Sequence, residues 1–400
     1  MPSSATRRSR DAASAARGGQ EAGSRFALAA SGMLIYAAVR VLALAVAALL
    51  LHLGRFRAFH WSLVHLTMSW DSGRFLYIAA HGYANVPGWQ HPDSILATYP
   101  GYPLVIDTIA WVPGIGFKRA AFAVTIAAGL VAAWGLTRLG MVLIGDRRLS
   151  LVMVAVWAAA PASIVLSMAY SEALFCALAV WCLVALVERR WLTAAVLTIG
   201  AGLARSSMAV ALVAAITVAT LPAVIAALRA RQPATMWWRP AVALLVSPLG
   251  MLAFWAYSAA RLRHFGGFTW LEKNGHDSFV WGLGVFLAVK DALLGRSSAV
   301  HLMTLFVIAA AAVLTICSLT ERFPWCVHVY TLAIVVIALG VGPLYLASKP
   351  RFLLPAVLLS VPVARLLAPL PTWLLGLVVG VLGAASVWFS LFLMTAGAPP

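Results

Sequence analysis

The sequence predicts an all-helical, polytopic membrane protein, and three observations predict it. Hydrophobic residues make up 63% of the 400 residues and charged residues only 10%. A soluble domain cannot bury that much apolar surface. Apolar runs of about 18 residues or more recur from Phe26 onward, the length at which a helix crosses a bilayer. Between them stand short turns rich in arginine, as cytoplasmic loops are.

Residues 1–25 are polar and carry Arg7, Arg8, Arg10, Arg17 and Arg25, which reads as a disordered cytoplasmic tail. The run 26–53 is too long for a signal-peptide core and reads as an uncleaved first span. Arg40 lies inside it and either snorkels toward the cytoplasm or pairs with a buried acid. Further spans are expected at 117–144, 150–168, 171–187, 191–205, 207–228, 240–262, 299–319, 326–346, 352–368 and 372–394. That makes ten or eleven crossings within a domain covering 26–400, several of them shorter than the roughly 20 residues a crossing needs.

Three basic turns set the orientation: Arg138 with Arg147 and Arg148, Glu188-Arg189-Arg190, and Arg229 with Arg231 and Arg239. Placed in the cytoplasm, they leave the loops 54–116 and 263–298 and the turn Ser348–Arg351 outside. A multi-pass protein of the plasma membrane follows. The net charge of +17 is then the charge of loops beside anionic lipid, and no nucleic-acid partner is expected. Two asparagines against abundant Arg and Ala fit a GC-rich, bacterial coding sequence. Cys176, Cys182, Cys317 and Cys326 form no CxxC pair and read as small buried hydrophobes.

The outer loop 54–116 is long, aromatic and partly apolar, with Trp61, Trp70, Trp89 and Trp111 and patches such as Phe75–Ala80 that suit interfacial helices. It also holds Asp71, one of only 12 acids. Asp71 caps a helix, pairs with Arg74 three residues on, or does chemistry. Glu172 lies in the apolar region 150–187, where an acid is either functional or paired; Arg205 and Arg40 are the candidate partners.

The order of short motifs resembles the PIG-V-like mannosyltransferases, membrane glycosyltransferases of the GT-C class. Trp70-Asp71 through Ala79, then Gly82-Tyr83, then Tyr99-Pro100-Gly101-Tyr102-Pro103 are similar to that family's first outer loop. Ala160–Leu178, with Tyr170-Ser171-Glu172 at its centre, resembles the family's NPASIF and YSESLF segment, Ala160 standing for Asn. Ala201–Ala209 around Arg205 and Ser348–Pro362 around Arg351 resemble two further segments, with Phe352 in place of Tyr.

The resemblance implies transfer of mannose from polyprenyl-phosphate-mannose to a glycolipid-type acceptor on the extracytoplasmic face. Asp71 would be the general base, with inversion at the anomeric carbon giving an α-mannoside. The leaving phosphate needs fixed cations, and Arg205, Arg351, Lys349 and Arg263 are the outer candidates, guanidinium being suited to bidentate phosphate contact. Trp70, His81, Tyr83, Tyr99, Tyr102, Tyr170 and Glu172 are the candidates for sugar or acceptor. For the aromatic residues a plain interfacial belt is the alternative. No paired-acid or histidine motif for a metal is present; a divalent cation stays open, with Asp93 and Asp107 the further outer acids. Donor lipid, acceptor lipid and the surrounding bilayer are the expected partners. A GT-C enzyme with another sugar or a protein acceptor, and a lipid or solute transporter, are the competing readings.

Overall fold

The computed structural model describes residues 4–53, 62–83, 95–96, 98–263, 279–340 and 343–395. No strand occurs among them. Trp61, Trp89, Asp93 and the stretch 264–278 lie outside the described residues.

The first span, Phe26–Leu53, belongs to α1 (Ser4–Leu53), which continues as helix back through the stretch expected to be a disordered tail. The segment between the first two spans holds α2 (Leu63–Thr67), α3 (Ser72–His81) and α4 (Gly101–Ala110). In α3 the buried residues are Ser72, Phe75, Ile78 and Ala79, the one-sided spacing of a helix lying on a core. Then come α5 (Phe117–Leu143) and α6 (Arg147–Ala158), followed by a non-α insert with a 3₁₀ turn at Ser163–Ser167. Next are α7 (Glu172–Val187), α8 (Trp191–Ala204), α9 (Ser206–Arg229), α10 (Ala234–Val246) and α11 (Leu249–Arg261). The remainder is α12 (Leu283–Leu293), α13 (Ala299–Leu319), α14 (Trp325–Gly340), the single turn α15 (Lys349–Phe352), α16 (Ser360–Leu367) and α17 (Thr372–Thr395).

Among the described residues six helices are long and apolar enough to cross a membrane: Phe26–Leu53, Phe117–Leu143, Ser206–Arg229, Ala234–Arg261, Ala299–Leu319 and Thr372–Thr395. A seventh crossing exists if Leu346–Phe352 and Val357–Leu367, bent by 84° at their junction, form one span. The expected ten or eleven is therefore corrected. The run 150–168 is not a span, because α6 ends at Ala158 just before Pro161, which cannot continue a helix. The run 352–368 is half of the bent pair. Glu172–Val187, Trp191–Ala204 and Trp325–Gly340 are shorter apolar helices. Hydropathy averages across such breaks and counts each run as a crossing.

The core explains the short helices. α7 is apolar nearly all round and buried nearly all round, as expected of a central helix. α5 packs on it at Gly135, where a Cβ would stand 2.9 Å from Trp181 Nε1 and Val180 Cγ1. Its Gly129 lies against Tyr36 of the first span and its Gly140 against Ser150 of α6, so small residues let α5 approach three neighbours closely. Where α8 meets α11, a Cβ on Gly202 would come within 2.6 Å of the Met251 backbone nitrogen, so only glycine fits there. Large apolar side chains such as Leu34, Val196, Phe306 and Val381 face outward, the surface a lipid solvent tolerates.

The bundle has two polar ends. Glu172 is the first residue of α7 and Glu188 its C-cap. A helix of 16 residues separates them by about 24 Å. Arg138, Arg148 and Arg365 gather at the Glu188 end; Asp71, Arg205 and Arg351 gather at the Glu172 end.

Candidate active site

Trp70 has φ 59°, a left-handed conformation rare for a bulky residue and found where the surroundings impose it. It turns the chain so that α3 starts at Ser72. Asp71 occupies the N-cap position of α3, yet its side chain makes no capping bond. It points at cations instead. Oδ2 lies 3.2 Å from Arg351 Nη2, and Oδ1 lies 3.4 Å from Arg74 Nη1. The backbone N–H of Asp71 donates to the Tyr170 hydroxyl at 3.3 Å. Its carboxylate is 32% exposed, whereas the Arg351 side chain is 8% exposed. The site therefore opens at Asp71.

Glu172 holds the buried half. Its Oε1 lies 2.5 Å from Arg205 Nη1 and 3.9 Å from Arg351 Nε. As the first residue of α7 it also sits where the helix dipole favours an anion. Arg205 is the single extended residue, φ −156° and ψ 86°, between α8 and α9. That break is what aims it inward. The Phe352 ring lies against both guanidiniums, 5.3 Å from Arg205 and 5.1 Å from Arg351, and Arg351 also stacks on Tyr170 at 5.5 Å.

Two carboxylates thus face three guanidiniums, those of Arg74, Arg205 and Arg351, and one positive charge is left unbalanced. Arg351 Nε and Nη1 and Arg205 Nε are buried with no hydrogen-bond partner. Buried donors of this kind carry a large penalty, which an anion with several acceptor oxygens relieves. Pro350 and Leu353, flanking Arg351, line an apolar cavity of about 240 Å³ together with Trp157, Ala160, Phe306 and Leu382.

The remaining candidates divide. Tyr170 and Glu172 belong to the cluster. Trp70 is 42% exposed at its rim. Tyr102 is fully buried; its hydroxyl donates to Ala121 O at 3.0 Å and lies 2.7 Å from Thr125 Oγ1, so it braces α4 on α5. Tyr83 donates to Thr98 O at 2.6 Å and packs on Phe254 and Tyr257. Burial, then Tyr257, pushes its phenol well above the usual range, so it stays a neutral donor. Tyr99 donates to Ser207 Oγ at 3.1 Å and packs on Phe254. These rings tie the loop between the first two spans to α9 and α11. His81 is exposed and stacked on Tyr77 at 4.7 Å, about two helical turns along α3 from Arg74 and without a contact to the cluster among the described residues. Lys349 Nζ donates to Ala338 O at 3.2 Å and Leu339 O at 2.9 Å, completing the C-terminal end of α14. Arg263 is exposed at the end of α11, and no ion pair among the described residues joins it to the cluster. Sequence reasoning missed Phe352, which the motif shows only as a change from Tyr, and the bridging position of Arg351.

Gly101 sets the loop's approach. A Cβ there would stand 2.7 Å from the Ala204 nitrogen and the Leu203 carbonyl carbon. The Tyr99–Pro103 segment therefore rests directly on the end of α8, beside Arg205. Among the described residues no group of three His, Cys, Asp or Glu side chains is placed to hold a metal ion. Compared with models of known protein families and with the sequences of characterised proteins, the chain matches none.

Proposed function

We propose that the chain is a membrane glycosyltransferase of the GT-C class. It moves mannose from polyprenyl-phosphate-mannose to a hydroxyl of a glycolipid-type acceptor on the extracytoplasmic face. One observation carries the reading: Asp71, Glu172, Arg205 and Arg351, far apart in sequence, converge in one ion-pair cluster with guanidinium N–H groups left over.

The chemistry follows from the charges. The acceptor oxygen attacks the anomeric carbon while its proton passes to the Asp71 carboxylate, which is exposed enough to be reached. The bond from anomeric carbon to phosphate oxygen breaks with its electron pair on the phosphate. A diester anion becomes a monoester with more negative charge, and Arg351 and Arg205 meet that charge in a buried setting where it counts for more. Glu172 holds the two guanidiniums in place. A single displacement on a β-linked donor yields an α-mannoside. The apolar cavity beside Arg351 offers the donor's hydrocarbon chain a place near its phosphate.

The test is transfer of radiolabelled mannose from polyprenyl-phosphate-mannose to lipid extracts by the purified protein in nanodiscs. Wild type is expected to label an acceptor lipid and Asp71→Asn is not. Equal labelling by both removes Asp71 as the base, and no labelling by wild type under any donor removes the reading.

A further inference from the structure

Arg40 stands near the middle of the first span and is 5% exposed. It neither reaches the surface nor meets an acid among the described residues. Its guanidinium grips backbone. Nη1 donates to Ser163 O at 2.5 Å, and Nη2 donates to Ala158 O at 2.7 Å and to Ser163 Oγ at 3.2 Å. Ala158 is the last residue of α6, where carbonyls lose their helical partners, and Ser163 opens the 3₁₀ turn. Between them buried Ala162 has φ 60°. That conformation is unfavourable for a residue with a Cβ and persists only where its surroundings over-determine it.

Three hydroxyls hold the rest of the insert. Ser386 donates to Ala160 O at 2.7 Å, Tyr36 to Leu166 O at 3.3 Å and Thr125 to Met168 O at 3.1 Å. Non-helical backbone at membrane depth survives only with partners of this kind. Neutral donors suffice at those three carbonyls, a hydroxyl at each and a backbone N–H as well at Ala160 O and Met168 O, so satisfying backbone does not in itself require a charge. A buried charge is costly. What a guanidinium adds is a planar fork that fixes two carbonyls in one mutual orientation. The insert so fixed ends at Tyr170 and Glu172, the residues that contact Asp71, Arg205 and Arg351.

We infer that Arg40 is a positioning residue for the phosphate site: by clamping Ala158 and Ser163 it sets where Tyr170 and Glu172 present Arg351 and Arg205. The inference rests on the function proposed above, because it takes those two arginines as phosphate ligands.

Two readouts on the full chain in nanodiscs test it: binding of polyprenyl phosphate without turnover, and the donor KM and kcat of mannose transfer. Arg40→Met is expected to weaken binding and raise donor KM by at least about tenfold, the scale of one charge-assisted hydrogen bond, with the acceptor KM unchanged. Arg40→Lys is expected to recover part of this, since an ammonium still donates but cannot fork. If Arg40→Met does not fold, Arg40→Lys and Tyr36→Phe carry the test, with a larger rise in donor KM for Arg40→Lys than for Tyr36→Phe. Variants that bind polyprenyl phosphate as tightly as wild type, keep its donor KM and lose only active fraction make Arg40 a staple of the fold and overturn the inference. A wild-type protein that neither binds polyprenyl phosphate nor transfers mannose overturns the proposed function instead.

Discussion

The two ends of the bundle are built from the same side chains and are wired differently. At the Glu188 end Arg138 gives both Nε and Nη2 to Glu188 Oε1, at 2.9 and 2.6 Å, and Arg365 gives the same pair of nitrogens to the two oxygens of Glu321, at 2.5 and 2.6 Å. These arginines are 38% and 46% exposed. At the Glu172 end Arg74 is 37% exposed, but Arg205 and Arg351 are 12% and 8% exposed, one carboxylate oxygen is shared between these two guanidiniums, and buried N–H groups are left over. A saturated, solvated pair is a staple between helices. A buried, undersatisfied cluster invites an anion. A leftover N–H alone does not make the distinction, since the clamp residue Arg40 also has one at Nε; two buried guanidiniums that share one carboxylate oxygen beside an open carboxylate do.

Substitutions that break this contrast have effects of graded size. The largest belongs to Asp71→Asn, expected to cut transfer by about 1000-fold through loss of the base, read in the radiolabel assay, with a fall in unfolding temperature smaller than that of Glu172→Gln because the Asp71 carboxylate is 32% exposed. Glu172→Gln comes next. It leaves Arg205 and Arg351 buried without their shared counter-charge and is expected to cost about 3–5 kcal/mol, seen as a lower unfolding temperature together with weaker polyprenyl phosphate binding. A Glu172→Gln protein as stable as wild type would mean that the cluster is solvated and the contrast false. Gly101→Ala forces the Tyr99–Pro103 segment off the end of α8, with an expected cost of about 1–3 kcal/mol and reduced transfer; wild-type behaviour would show that the segment does not rest there. The smallest effect is expected from Glu321→Gln, under about 1 kcal/mol. Added salt should shrink it further, with transfer untouched.

Charge in an apolar chain is what made the site legible. Asp71, Glu172, Arg205 and Arg351 each stood out as an ionisable residue where few occur, and the structure brings all four together. Lys349 stood out for the same reason, yet its described bonds go to carbonyls at the end of α14. Sequence cannot distinguish a cation kept for a ligand from one engaged by a helix end. Tyr102 was hidden in a similar way, because an aromatic residue in an outer loop reads as surface until its hydroxyl is found on Thr125 inside the core. The long clean spans, 26–53, 117–144, 299–319 and 372–394, were legible from length and hydropathy. Pro161 marked an interruption in the sequence as well, but that 150–168 does not cross, and the bend before Val357, were not legible, since hydropathy does not register where the backbone leaves the helix. Arg40 shows the limit plainly: a snorkelling arginine and one clamped on Ala158 and Ser163 have the same sequence.

The most direct measurement is an experimental structure of the protein in nanodiscs with polyprenyl phosphate bound. The account predicts the phosphate against the Arg351 and Arg205 guanidiniums with Asp71 facing the open side. A lipid phosphate bound instead among Arg138, Arg189 and Arg365, with the Glu172 end unchanged, would contradict it.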